Sequence, residues 1–220
     1  MSNSAVVTEP EGELVLEGIV TTLDEHGRVN IAPMGPRVPA RGEWRRLVLR
    51  PFRTSTTFQN LKARGQGVFH VTDDVWLLAR AAVSELRPEP SMFKAQCIQG
   101  QVLAEACRWY EFQVDEVVDG GDRITLDCVV VHAGRLRDFI GFNRAKHAVV
   151  EAAILATRAS LLPIDDILLE FQRLLPLVQK TGGLDEHRAF EFLLQHMHRY
   201  TKQPHECSAN GWREPAGDGP

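Results

Sequence analysis

The chain has little of what staples or anchors a protein. Its 220 residues include four cysteines, Cys97, Cys107, Cys128 and Cys207. No two stand at C-x-x-C spacing and no matching histidine pair lies nearby, which argues against a zinc site and against a disulfide framework. Cys97 and Cys128 sit in strand-like apolar runs and read as small core residues. No run approaches the roughly 20 apolar residues of a membrane span. Residues 1–13 are polar and lack the apolar h-region of a signal peptide, so the expected location is the cytoplasm. The net charge of −4 supplies no basic field to recruit nucleic acid. No Gly-x-Gly-x-x-Gly follows a strand, which excludes a Rossmann nicotinamide domain. No Gly-x-Ser-x-Gly elbow and no Ser-His-Asp order suggests hydrolysis. No repeat of solenoid length is present.

What is present begins with a hairpin. Leu14 to Leu23 carries apolar residues on both alternating faces and is rich in β-branched types, as a barrel strand would be. Asp24-Glu-His-Gly27 supplies turn chemistry, and Val29-Asn-Ile-Ala32 returns as the second strand. Pro33 and Gly35 stop it. One lacks an N–H and the other a side chain, so the backbone of Ala32, Pro33, Met34 and Gly35 is open to close approach by a flat ligand. A second segment, Arg50-Pro-Phe-Arg-Thr-Ser-Thr-Thr-Phe-Gln-Asn-Leu61, reads as a hydroxyl-rich, arginine-flanked helix start. A phosphate needs free N–H groups at the positive end of a helix. Ser55, Thr56 or Thr57 can cap that helix and donate hydroxyls, and Arg50 and Arg53 can add charge-assisted bonds. Phe58 and Leu61 are its expected core anchors. The plainer readings are a hairpin with an ordinary exit loop and a well-capped helix with solvated arginines.

Further strands are expected over residues 44–49, 67–72, 98–103, 109–118 and 123–132, with a helix over 56–63. Asp73-Asp74 opens a helical stretch over 75–83, and 84–90, with two prolines, is a loop. Asp119-Gly-Gly-Asp122 is a turn. Short strands with few helices between them fit a closed barrel. From Asn143 the period changes to 3.6, with Ala145, Ala148, Val149, Ala152, Ala153 and Ala156 on one stripe. Pro163 breaks this helix. Asp165 or Asp166 starts a second and Asp185 a third, with Gly182-Gly183 between them. His70 reads as a satisfied core histidine. Gln195-His-Met-His198 lacks the i, i+4 separation of a metal pair. Arg144, Lys146 and His147 open the alanine-rich helix against its dipole, a local conflict of the kind that marks sites.

The residues Gly18-Ile-Val-Thr-Thr, Asn30-Ile-Ala-Pro-Met-Gly35, Arg53-Thr-Ser-Thr-Thr57, Asn60-Leu61 and Gly67-Val-Phe-His-Val-Thr72 resemble the FMN-binding split barrels of the flavin-reductase-like group. With Gly134-Arg135 and Gly141-Phe-Asn-Arg-Ala-Lys-His-Ala-Val-Val-Glu-Ala-Ala-Ile-Leu-Ala-Thr-Arg158, the whole chain is most similar to an uncharacterised family that appends helices to the barrel. That resemblance implies a mainly β fold with α: a split β-barrel over 13–133, a helical subdomain over 134–201, a disordered N-terminus over 1–12 and a flexible tail over 202–220. It implies bound FMN and a homodimer with the flavin near the subunit interface. The phosphate would sit on Thr54, Ser55, Thr56 and Thr57 with Arg50 and Arg53, and the ring against Ala32, Pro33, Met34 and Gly35. Asn60 matches the family's asparagine. From the residues themselves, Lys146 and His147 can meet an anionic substrate group or a flavin phosphate from the partner subunit, the plainer reading being a solvated first turn that reaches back to acidic neighbours such as Asp138. The family is associated with methanopterin-linked one-carbon metabolism.

Flavins carry the redox chemistry themselves, so the leading expectation is an FMN-dependent oxidoreductase acting on a small molecule. Arg144 and His147 are the candidate catalytic residues. The alternative is a flavin-binding or accessory protein without turnover, favoured if the loop 84–90 or the helices plug the groove.

Overall fold

A computed structural model describes residues 12–121 and 123–202. The expectations for 1–11, for Asp122, for the tail from 203 onward and for Cys207 lie outside the described residues.

The chain opens with β1 (Glu13–Val15), and Leu16 and Glu17 separate it from β2 (Gly18–Leu23). β2 pairs antiparallel with β3 (Val29–Met34). The turn between them closes as its residue types demand. Asp24 Oδ1 accepts the N–H groups of His26 and Arg28 at 2.9 and 2.8 Å, and Gly27 takes a φ of 79°. Next come β4 (Arg37–Pro39), β5 (Arg46–Leu49), α1 (Thr56–Arg64), β6 (Gln66–Val71) and α2 (Val75–Ala82). β7 (Met92–Lys94) and β8 (Gln101–Leu103) form a small hairpin. The long pair β9 (Arg108–Gly120) and β10 (Arg123–Arg135) follows, then α3 (Arg144–Ala156), α4 (Ile164–Thr181) and α5 (Leu184–Lys202).

The main sheet has eight strands in the order β1-β4-β5-β10-β9-β6-β2-β3. Two register shifts in the β9–β10 pairing, at Asp127/Cys128 and Val130/His132, help it curl. The architecture is the expected split β-barrel with a C-terminal helical layer. Inside the curl sit Val20, Leu47, Leu49, Phe69, Phe112 and Leu126, with Phe58 and Leu61 of α1 plugging one end. Outside it, a second core joins Ile19 and Ile31 to α2, α3, α4 and α5. Ile19 and Val20 therefore serve different cores, which is why this strand is apolar on both faces. The alanine stripe of α3 is buried in full; its small side chains let the neighbouring helices approach closely. α2 stands in the barrel half of the sequence but packs in the helical core. The helices thus cover their own barrel.

Several expectations need correction. The strand expected over 98–103 shrinks to β8, and Cys97 is exposed rather than part of the core. Its segment instead bends over Glu111, a fully buried carboxylate. That carboxylate accepts the N–H groups of Gln96 and Cys97 at 2.8 and 2.7 Å and the Trp109 indole N–H at 3.2 Å. Burial opposes its ionisation, but these three donors outweigh it and hold its pKa below the usual range. α3 stops at Ala156, well before Pro163, which caps α4 instead. Cys128 is buried as expected, and burial pushes its thiol up to about 12. His70 is fully buried. Its Nδ1 lies 3.1 Å from the Ile19 carbonyl and its Nε2 accepts the Leu103 N–H at 3.0 Å. Burial, opposed by the bond to Ile19, lowers its pKa to about 4, so it stays neutral and structural.

Candidate functional site

The two motifs singled out in the sequence meet at one cavity of about 300 Å³. One wall is the end of β3, Ala32, Pro33, Met34 and Gly35. β3 is the last strand of the sheet, so one row of its backbone groups has no strand partner. The edge position also explains how the strand tolerates Pro33. The opposite wall is helical, with Leu78 and Ala82 of α2 and Val150, Ala153, Ile154 and Thr157 at α3. Arg50, Phe52, Ser55, Thr57 and Arg123 line the rest.

The helix start behaves as its sequence suggests, with one difference. Ser55 is the N-cap, and its Oγ accepts the Phe58 N–H at 3.2 Å. The same hydroxyl donates to the Phe52 carbonyl at 2.8 Å, so its proton is already spent. Thr57 is buried, and its Oγ accepts from Asn30 Nδ2 at 3.1 Å. With the Phe58 N–H taken by the Ser55 cap, the Thr57 hydroxyl proton and the N–H groups of Thr56 and Thr57 remain for an anion, since no intrahelical carbonyl can take those N–H groups. Arg123 lies with its guanidinium carbon 4.0 Å from the Phe52 ring centre and donates to the Arg50 carbonyl at 3.1 Å. Two arginines thus stand at the helix-dipole end of the cavity.

The other candidates lie elsewhere. Arg53 donates to Asp119 at 2.5 Å and to the Gly121 carbonyl at 3.3 Å, tying α1 to the β9–β10 turn. Thr54 and Thr56 are exposed and do not line the cavity. Asn60 is buried behind it and donates to Thr22 Oγ at 3.0 Å. Lys146 is engaged at the start of α3, where its ammonium donates to Glu186 at 2.7 Å and to the Asp73 carbonyl at 2.8 Å. Glu186 also accepts the Gly183 N–H. Burial opposes its ionisation, but Lys146 and Gly183 outweigh it and hold its pKa down. Arg144 and His147 are exposed, and the His147 ring stacks on Phe142 at 6.0 Å between centres. Neither lines the cavity.

Sequence reasoning missed Glu17, Phe52 and Arg123. Glu17 lies against the end of β3: a Cβ at Gly35 would stand 2.8 Å from Val15 Cγ1 and 3.2 Å from Glu17 Oε1. Glycine is needed there for close approach. Burial, then the Glu151 carboxylate, pushes the Glu17 carboxyl above its usual pKa. A lone Glu in the break between two strands carries no local signal, and Arg123 reaches the cavity only through the β5–β10 side of the sheet.

Comparison with known proteins fits this geometry. Residues 16–137 match the N-terminal domain of a protein family of unknown function, DUF447, and residues 143–195 match its following domain. The chain belongs to this family. An FMN-bound protein of the same family, MM1853 from Methanosarcina mazei, is 27% identical with a TM-score of 0.71, covering 83% of this chain and 94% of that one. Nitrilotriacetate monooxygenase component B from Bacillus cereus is 18% identical with a TM-score of 0.46, covering 56% and 70% of the two chains. Flavoredoxin from Methanosarcina acetivorans is 10% identical with a TM-score of 0.46, covering 61% and 73%. Comparison with curated proteins finds no match. Among the described residues no helix is long and apolar enough to cross a membrane, and no group of His, Cys, Asp or Glu could hold a metal ion.

Proposed function

We propose that this DUF447 protein binds FMN in the cavity between β3 and α3 and acts as an FMN-dependent oxidoreductase on a small molecule. The observation that carries the reading is the meeting, in one cavity, of a free strand edge and a cationic helix start. The residues fit the group. The unpaired edge of β3 suits the polar rim of the ring, and the aliphatic wall of α2 and α3 suits its face. Arg50, Arg123, the Thr57 hydroxyl and the α1 N-terminus suit a dianionic phosphate. The FMN held by the family member from Methanosarcina mazei supports the same cofactor here.

When bound, FMN supplies hydride or single-electron transfer. The chain's own part is to hold the phosphate, orient the ring and keep water from one face with Leu78, Val150 and Ile154. Glu17 is the titratable group best placed to hold a proton beside that wall. The link to pterin or one-carbon substrates rests on the resemblance alone. The reading includes a homodimer. Exposed apolar side chains support it, with Val117 57% and Val118 49% accessible on β9 and Phe52 46% accessible at the cavity mouth.

One observation favours the non-catalytic alternative: α3 walls the cavity, and the Lys146 ammonium is spent on Glu186 rather than offered to a substrate. The test begins with absorbance and gel filtration after adding FMN, with light scattering for the dimer. A flavin spectrum that travels with the protein is expected, and a colourless protein would remove the reading. Anaerobic reduction by a nicotinamide donor, followed by reoxidation by added acceptors, then separates the enzyme from a carrier.

A further inference from the structure

A second cavity, of about 950 Å³, lies on the other side of α2. It is built by β3, α2, the 84–90 loop and α5. Four arginines line it, Arg28, Arg80, Arg87 and Arg188. Arg28 is paired with Asp24 at 2.6 Å. The other three have no carboxylate partner among the described residues. Of the two lining glutamates, Glu85 is engaged by Arg199 at 3.0 Å and by His196 at 3.5 Å, leaving Glu89 against three cations.

Arg80 is the unusual member. It is 7% exposed. Its Nη1 donates to the Pro88 carbonyl at 2.8 Å, while its Nε is buried with no partner. A buried, unmet guanidinium donor is costly, and native structures rarely leave one without a reason. Trp76 holds Arg80 and Arg188 together, with guanidinium carbons 5.1 and 4.2 Å from its ring centre. Phe192 packs edge-on against the same indole at 5.2 Å. Two like charges are thus held in register by a rigid platform. Burial, opposed by Asp74 and aided by Arg188, pushes the Arg80 pKa down. An anion in the cavity, held against the Arg80 and Arg188 guanidinium groups, would relieve their repulsion. Opposite the arginines stand Val29, Ile31 and Met92, an apolar wall for an organic body.

We propose that this cavity binds a small organic phosphate, its phosphoryl oxygens held by Arg80 and Arg188 with Arg87 closing from the loop. Three unpaired cations suit a dianion with several oxygens better than a single carboxylate. The volume lies within the range of small-molecule sites. The site is separate from the FMN cavity and rests on its own observations.

The test is calorimetric titration with ADP as the probe. Wild type is expected to bind it, more weakly at high salt. Arg188→Gln and Arg87→Gln, both at exposed positions, should keep the fold and weaken ADP about tenfold each. Arg80→Met should weaken it at least as much. Arg50→Ala with Arg123→Ala should leave it unchanged. Absence of ADP binding in wild type, or equal binding by the Arg188 and Arg87 variants, overturns the proposal. Glutarate binding tighter than ADP, with the same arginine dependence, assigns a dicarboxylate and overturns the phosphate. If these variants instead lose FMN while Arg50→Ala with Arg123→Ala keeps it, the flavin occupies this cavity and both assignments fall.

Discussion

The two cavities share walls and differ in chemistry. Each is bounded by β3 on one side and α2 on another. Position along β3 and the helical period along α2 divide the residues between them, with Val29 and Ile31 at the larger cavity and Ala32 to Gly35 at the smaller. Leu78 and Ala82 face the smaller cavity, while Trp76 and Arg80 face the larger. One short helix thus presents an aliphatic face to one ligand space and a cation-bearing indole to the other. In the smaller cavity the cations stand at one end, beside the start of α1, and the long wall is apolar. In the larger the cations sit against the side wall, and one of them is buried. The first arrangement suits a long flat ligand with its charge at one tip. The second suits a ligand whose charge is its main handle.

The comparison breaks most sharply if one cavity is filled. Val150 is a half-buried residue on the α3 wall. Val150→Trp places an indole in a space of about 300 Å³, and retention of FMN on gel filtration should be abolished. ADP binding in the other cavity should stay within about twofold, since sites with no shared partners act independently. Loss of both ligands would show that the cavities are one site. A smaller effect is expected from Arg50→Ala with Arg123→Ala. Each lost charge-assisted bond costs about 1.5 kcal/mol, so the two together should weaken FMN binding about 150-fold. Fluorescence titration measures this, and an unchanged affinity would move the phosphate away from the helix start.

Much of this was legible in the sequence because the signals were local. Ser55 as N-cap, the Gly27 turn and the buried alanine stripe of α3 each depend on residues within a turn or two of one another. The β3 end and the α1 start of the smaller cavity were equally visible as separate motifs, while its helical wall from α2 and α3 was not. What was hidden depends on distant pairings. Arg53 looked like a phosphate ligand because it adjoins the cap, but β9 and β10 bring Asp119 to it. Lys146 looked free at the start of a helix, but α5 returns Glu186 beneath it. The larger cavity was invisible for the same reason. Arg80 lay in what read as an apolar helix, and its partners Arg188 and Phe192 come from about a hundred residues later.

Lys146 and Glu186 join α3, a wall of the smaller cavity, to α5, a wall of the larger. Lys146→Met leaves a mostly buried carboxylate without its cation. Partial exposure softens the usual penalty, and the expected loss is about 2 kcal/mol. For a chain of this size that lowers Tm by about 4 to 8 °C. The Glu186 pKa is held down in the folded state, so the pair stabilises above the ordinary carboxylate value of 4.5 and less as pH falls through it. The wild type and variant should therefore converge in acid. Both ligands should weaken modestly, because both walls move. A variant that weakens FMN alone would return Lys146 to the role of a flavin ligand.

The smallest effect isolates Glu17, the only carboxylate among the described residues that lines the smaller cavity. Its pKa is raised in the folded state, so folding favours its protonated form. The stability this supplies is full below the ordinary value of 4.5 and is lost as pH rises through the raised folded pKa. At neutral pH the ionised side chain is therefore a small burden, and Glu17→Gln should unfold at a slightly higher temperature than wild type there. Below pH 4.5 the two should coincide. The same sign holds for an anionic ligand: FMN should bind wild type less tightly as Glu17 ionises, and the glutamine variant should lose that slope. ADP, on the far side of α2, should show no difference between the two proteins at any pH. Thermal unfolding and FMN titration at pH 4.5 and pH 7.5 measure both effects. A flat difference across that interval would place the Glu17 carboxyl in open water and remove it from the cavity's chemistry.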